Sequence, residues 1–488
     1  MAIRRVVVAT LFFSTFIAAH EKLDEQDVRE EIREEIAVAE SDTEYRSPSD
    51  AYYEQHVQCD CSDPRFMLRN EDMRLIFSGY IKSNNFFDTR QVVGFYQNLR
   101  LIVPEPKMPD QCGRDINARA QFNMLAIETR LRTLMIGPKV GRMRPFGFVE
   151  VDFTGPWLLN NATNDYFGYQ NAINCATLRH AYVRLQWNRF SFLAGQFWHP
   201  MVPPESAVND TVSFETTPFQ SVARNPQLRL TTEFSDRAEL ILAAISQLQF
   251  LSNGPNNFSA SYLANALVPN LHAQLRTYWG DHVLGAAVDF KRLLPLLFTQ
   301  KNGLTFKANN TVSAVSGLIY GQLKFEKIVA RAFITYASNL TDHLLLGGYG
   351  VSSIDSCGNR QTYTPMRQLA FLFDMYAPLW LEPGIMIGAT KNLGARGHLY
   401  QDTTMVGNEQ FTIYGLGGGG DGLSQDFNAI DYVIGVAPRL KWYKSPVTFG
   451  AEVKWLRAGY GQLDCKGRIH DICPVNDVRI TVALYYCF

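Results

Sequence analysis

The sequence predicts an all-β fold, a transmembrane antiparallel β-barrel of sixteen strands with a short N-terminal helical segment before it. Three observations predict it. From residue 74 onward apolar and polar side chains alternate with period two, short turns alternate with long polar loops, and the last strand carries an apolar face up to Phe488. Alternation puts successive side chains on opposite faces of a strand. Strands apolar on one face and charged on the other separate two unlike media.

In chain order, residues 1–19 read as a secretory signal, with Arg4 and Arg5 ahead of the apolar stretch Val6 to Ile17 and a small-residue cleavage site at Ala18 and Ala19. That stretch is shorter than the roughly 20 residues a spanning helix needs. Residues 20–73 form an acidic periplasmic leader, and within it Val28, Ile32 and Ile36 recur at helical spacing. Residues 74–488 form the barrel, opening with the strand Leu75 to Lys82.

Its strands repeat one pattern. Leu125, Ile127, Thr129 and Leu131 oppose Glu128, Arg130 and Arg132, while Val149, Val151 and Phe153 oppose Glu150 and Asp152. Ala181, Val183 and Leu185 oppose His180, Tyr182 and Arg184; Leu228, Leu230 and Phe234 oppose Arg229 and Glu233; Leu271, Ala273 and Leu275 oppose His272, Gln274 and Arg276. Val478, Ile480, Val482, Leu484, Tyr486 and Phe488 oppose Asp477, Arg479, Thr481 and Ala483. A soluble sandwich alternates too, so the connections decide. Tight turns fall near Gly137-Pro138, Asn188-Arg189, Ser235-Asp236, Gly280-Asp281, Glu326-Lys327, Ala377 to Pro383 and Tyr443 to Ser445. Long loops fill 86–120, 154–177, 199–224, 251–269, 293–310, 339–363, 392–425 and 458–475. Seven turns and eight loops require sixteen strands, and an even count with short turns at one rim is membrane-barrel wiring.

Composition agrees. Only 19% of the 488 residues are charged, below the roughly 25% of a soluble domain, and the net charge of -1 argues against a nucleic-acid partner. Closure pairs every backbone group in the lipid zone.

The terminal strand, with Leu484, Tyr486 and Phe488 as an assembly signal, resembles the end of a Gram-negative outer-membrane porin. The stretches Leu178-Arg179-His180-Ala181-Tyr182-Val183 and Leu193-Ala194-Gly195-Gln196-Phe197-Trp198 are similar to the DcaP-like porins. The resemblance implies an outer-membrane location, contact with its lipid, recognition by the barrel-assembly machinery, a homotrimer, and passive passage of small hydrophilic solutes. Eight cysteines depart from the family's usual few or none.

Enzyme signals are missing: the chain has no GxSxG, HExxH or GxxxxGK[ST]. His56, Cys59 and Cys61, or Cys465, His470 and Cys473, do not make a four-ligand metal set, so no metal or cofactor is expected. Cys465 and Cys473 are a possible disulfide across one loop. The pore-lining candidates are the inward charges Arg130, Arg132, Glu150, Asp152, Arg184, Arg229, Arg276, Arg331, Arg439 and Arg479. An arginine excess favours anions such as carboxylates, although such residues also pair simply to stabilise a wall. In resembling porins the third loop folds inward, which makes Glu205, Asp210 and Glu215 of loop 199–224 the constriction candidates. The rival reading is a structural or adhesive envelope protein, disulfide-linked and with a plugged barrel.

Overall fold

The computed structural model describes residues 66–69, 73–155, 176–203, 207–208, 212, 216–405, 407–415, 429–444 and 446–488. The signal and the helical leader lie outside the described residues, except for a short strand, Phe66–Arg69, paired antiparallel with the first barrel strand.

Sixteen antiparallel strands close on themselves. They are β1 (Arg74–Asp88), β2 in two arms (Gln121–Leu125 and Arg130–Ile136), β3 (Arg144–Asp152), β4 (Thr177–Trp187), β5 (Phe190–Trp198), β6 (Arg224–Ser235), β7 (Ala238–Ile245) and β8 (Asn270–Trp279). The second half runs β9 (His282–Leu293), β10 (Val312–Lys324), β11 (Val329–Ser338), β12 (Gln361–Tyr376), β13 (Leu381–Ala395), β14 (Ile430–Lys444), β15 (Val447–Leu463) and β16 (Ile469–Cys487). Each pairs with its neighbours in sequence, and β1 pairs with β16 from Tyr80↔Cys487 to Asp88↔Arg479, so the described barrel has no free edge. Phe488 adds the last rung, exchanging backbone hydrogen bonds of 2.9 and 3.1 Å with Gly79. A Cβ on Gly79 would stand 2.9 Å from the Phe488 ring, so glycine is what lets the terminal ring close the seam.

The expected faces hold along most strands. On β16, Ile480, Leu484 and Tyr486 are exposed outward, while Asp477, Arg479, Thr481 and Ala483 are buried inward. The tight turns use the predicted residues: Asn188 and Gly280 take φ of 48° and 61°, which lets a two-residue hairpin follow the twist of its strands.

Three expectations need correction. The row Leu125, Ile127, Thr129, Leu131 is not one strand, because a turn with Thr129 N–H donating to Ala126 C=O separates the arms of β2. That turn swings Ile127 and Glu128 together into the interior. The eighth loop is mostly sheet. β15 and β16 run far past the roughly 10 residues needed to cross a membrane, and leave only 464–468 as a turn, in which Asp464 accepts the backbone N–H of Lys466 and Arg468 at 2.8 Å each.

The same hairpin corrects the disulfide. Cys473 pairs with Tyr460 down the strand while Cys465 sits at the tip, beyond the Leu463↔Ile469 rung. About four residues of strand separate their levels, some 13 Å, against the roughly 6 Å a disulfide spans between Cα atoms. Both are free and exposed, as are Cys112 and Cys357, whereas Cys487 is disulfide-bonded. A maleimide should therefore label all four exposed thiols without reductant. Labelling of Cys465 and Cys473 only after reduction would contradict this register.

Candidate functional site

Arg130, Arg132, Glu150, Asp152, Arg184, Arg229, Arg276, Arg331, Arg439 and Arg479 all stand on inward rows, each exposing a tenth or less. Much of the wall is self-neutralising. Arg479 grips Asp88 at 2.6 and 2.9 Å, Arg439 grips Asp374 at 2.5 and 3.0 Å, and Arg276 reaches Glu239 at 2.6 Å. Neutral groups add to this: Arg331 donates to Gln322 at 2.9 Å, Arg184 to Ser191 at 2.5 Å, and Arg229 to Gln227 at 2.9 Å and to the Trp198 carbonyl at 2.6 Å. Fork-to-carboxylate pairs of this kind hold side chains rigidly across neighbouring strands.

Loops fill much of the described lumen. The first sends in a hairpin, Val92–Phe95 against Arg100–Pro104, both strands of which are wholly buried. The third leaves β5 and crosses to the opposite wall. There Val212 N–H donates to Glu452 on β15 at 3.2 Å, Tyr485 on β16 donates to the Val212 carbonyl at 2.5 Å, and Lys454 donates to the Thr217 carbonyl at 3.2 Å. Phe219 lies over Gly388 and Gly435, where a Cβ would come within 2.2 and 2.9 Å of its ring. Inward folding of the third loop is thus seen in its described residues. Glu205, Asp210 and Glu215 lie outside them.

The sixth loop meets the third from the far side. Val222 N–H donates to the His343 carbonyl at 2.9 Å, and Asp342 binds Lys291 at 2.5 Å and Gln247 at 2.6 Å. Burial works against ionising Asp342, but Lys291 and His343 outweigh it and hold the carboxyl below its usual range. Phe95, Leu101, Met201, Phe219, Phe250, Leu344 and Leu345 share one apolar cluster with wall residues such as Phe86 and Tyr320.

Between these loops and β2 to β6 lies a cavity of about 30 Å³, ringed by Arg100, Arg130, Arg179 and Arg224 with Thr154, Thr216, Gln220 and Trp198. Room for one or two waters or a compact anionic group fits that size. Around it, Arg179 binds Glu150 and Asp152 at 2.6 Å each, Arg132 binds Glu150 at 2.6 Å, Arg130 stands 4.0 Å from Glu150, and Lys82 and Arg100 share Glu128. Arg224 makes no ion pair among the described residues. It is 3% exposed, held by Gln249 at 3.2 and 3.3 Å, and lies over the rings of Trp198 and Phe250 at 5.1 Å each. Among the described residues six cations thus meet three carboxylates in one low-dielectric region, and four of the cations line the cavity.

Sequence reasoning missed Arg100, Arg179 and Arg224. Arg100 and Arg224 fell in segments read as loop. Arg179 carried the wrong parity: the register shifts between Glu150 and Val151, and Arg179 and His180 both turn inward beside the exposed Leu178. A bulge leaves no trace in an alternation pattern.

Across the lumen His199, His272 and Asp289 bring their ligand atoms within 4.8 Å of one another. Hydrogen bonds already occupy them. Met201 N–H donates to His199 Nδ1 at 3.2 Å, which puts the proton of a neutral ring on Nε2, on the side of the Asp289 carboxylate at 3.5 Å. That nitrogen then has no lone pair for a cation, and the group serves as a hydrogen-bonded strut beneath the third loop.

No family model and no curated protein matches the chain. Among solved structures it is similar to the outer membrane channel DcaP of Acinetobacter baumannii, at 15% identity over 86% of this chain and 99% of that one, with a TM-score of 0.57. An anion-selective porin from Comamonas acidovorans aligns at 8% identity over 86% of this chain and 100% of that one, with a TM-score of 0.48. The first likeness supports the barrel fold.

Proposed function

We propose that the chain is an outer-membrane porin of a Gram-negative-type bacterium, passing small hydrophilic solutes passively through the lumen with a preference for anions such as carboxylates. The observation that carries this reading is the arginine-ringed cavity, in which Arg224 has no carboxylate partner among the described residues. A buried cation without its counterion is costly, and an entering anion relieves that cost while a cation adds to it. On the same reading residues 1–19 are a signal and 20–73 a periplasmic leader, the barrel-assembly machinery recognises Leu484, Tyr486 and Phe488, the barrel contacts outer-membrane lipid, and three copies assemble. No catalytic role is proposed.

The apolar cluster favours a second reading, a barrel plugged by its own loops that serves a structural or adhesive role. Single-channel recording of the refolded protein in a planar bilayer under a salt gradient separates the two. Small stepwise openings whose reversal potential marks anion preference are expected, and a folded barrel that stays silent would favour the plug. Phe219→Ala removes the ring that presses the third loop onto Gly388 and Gly435, so larger openings are expected from it. Unchanged openings would mean that this contact does not limit flow.

A further inference from the structure

The outward face carries a feature that solute passage does not use. Val288, Gly317 and Tyr336 form one rung across β9, β10 and β11. Val288 and Tyr336 are exposed and large, while Gly317 between them has no side chain, and a Cβ built there would meet nothing closer than 3.7 Å. The notch opens into a recess of about 350 Å³ on the barrel's outer surface, floored by Val288 and Val315 and bounded above by Ser313, Arg367 and Arg396.

Its position along the strands is defined by side chains. Below the notch the outward row of β10 continues through the exposed Ile319 and Leu323. Val315 to Leu323 covers nine residues, about 26 Å along the strand and about 20 Å of height at a tilt of about 40°, most of the roughly 25 Å of an apolar lipid-facing band. The recess therefore lies at the upper edge of that band, on the side of the long loops.

Charge there is of one sign. Arg367 donates to the carbonyls of Leu393, Gly394 and Ala395 through Nε and Nη2 and leaves Nη1 without a hydrogen bond. The exposed Arg396 makes no side-chain hydrogen bond or ion pair with the described residues. Arg292, outward on the rung of Ser313, bonds only the Thr311 hydroxyl at 3.1 Å. Three guanidinium groups without carboxylate partners among the described residues, above an apolar notch open to lipid, match a ligand with an anionic phosphate head and an acyl body. We propose that this recess binds the phosphorylated headgroup of an outer-leaflet glycolipid, with Arg367 and Arg396 on the phosphate and an acyl chain over Gly317.

The inference rests on the reading that the barrel spans a membrane, and the test keeps the two apart. The full-length barrel in detergent is titrated with bis-phosphorylated lipid A, with its dephosphorylated counterpart, or with lipid A in the presence of inorganic phosphate. Bound lipid is counted by native mass spectrometry, and folding is followed by the heat-dependent gel shift. Lipid A should bind at least about tenfold more tightly than the dephosphorylated form. That preference should vanish in the Arg367→Gln/Arg396→Gln double variant. It should also weaken in Gly317→Leu, which fills the notch and leaves both arginines in place. Equal binding of the two lipids by a barrel that inserts into liposomes would overturn the lipid site and leave the channel reading standing. Displacement of lipid A by an equal concentration of inorganic phosphate would assign the arginines to free phosphate and overturn it too. Failure to insert into liposomes would overturn both.

Discussion

Replacing Arg224 with glutamate is expected to reverse the ion preference of the channel. Arg224 lines the arginine-ringed cavity and makes no ion pair among the described residues, so no described carboxylate caps its charge. At about 8 Å and an effective dielectric near 20, one unit charge is worth about 2 kcal/mol to an ion in the cavity. Arg224→Gln should then lower the anion-to-cation permeability ratio by about tenfold or more, and Arg224→Glu should change the sign of the reversal potential under a salt gradient. Screening reduces these effects at high salt, so the comparison belongs at low ionic strength. Arg237→Gln, in the exposed turn between β6 and β7, is the control and should leave the potential where it was. A reversal potential equally unmoved by Arg224→Glu would remove this cavity from the solute path.

Breaking the seam should have the largest effect on stability. Asp88 and Arg479 face each other where β1 meets β16, both fully buried, with Gln121 adding a hydrogen bond to Asp88 at 3.2 Å. Asp88→Ala strips Arg479 of its bidentate partner in the interior, which costs about 3–5 kcal/mol for pairs of this kind. The folded band on a gel should convert to the unfolded one at a clearly lower temperature. The exchanged pair, Asp88→Arg with Arg479→Asp, should recover part of the loss. A melting temperature unchanged in Asp88→Ala would mean that the backbone ladder from Tyr80↔Cys487 to Asp88↔Arg479 holds the seam without this pair.

Asp88 and Arg479 show how sequence and fold divide the information. Arg479 was legible as inward-facing because its neighbours Val478 and Ile480 alternate with it and the row runs unbroken to Phe488. Its partner was not, because 391 residues separate the two and only closure brings them together. The arginine cavity repeats the point. Arg130 was expected inside from alternation alone, while Arg100 enters on a loop hairpin, Arg179 turns inward through a bulge, and Arg224 begins a strand just after a loop.

By itself the sequence determined what is local and periodic: the strand faces, the hairpin turns at Asn188 and Gly280, and the count of sixteen strands from the alternation of connections. Those features depend on side-chain spacing along one strand, which the chain carries explicitly. The tertiary structure alone decided how the loops enter the lumen, where the turn in β2 reverses the parity of Ile127, why Cys465 stands too far from Cys473 to bond, and which cations keep their counterions. Each depends on contacts between segments far apart in the chain. Their free energy is realised only once the barrel closes and the loops exchange water for an apolar and hydrogen-bonded interior.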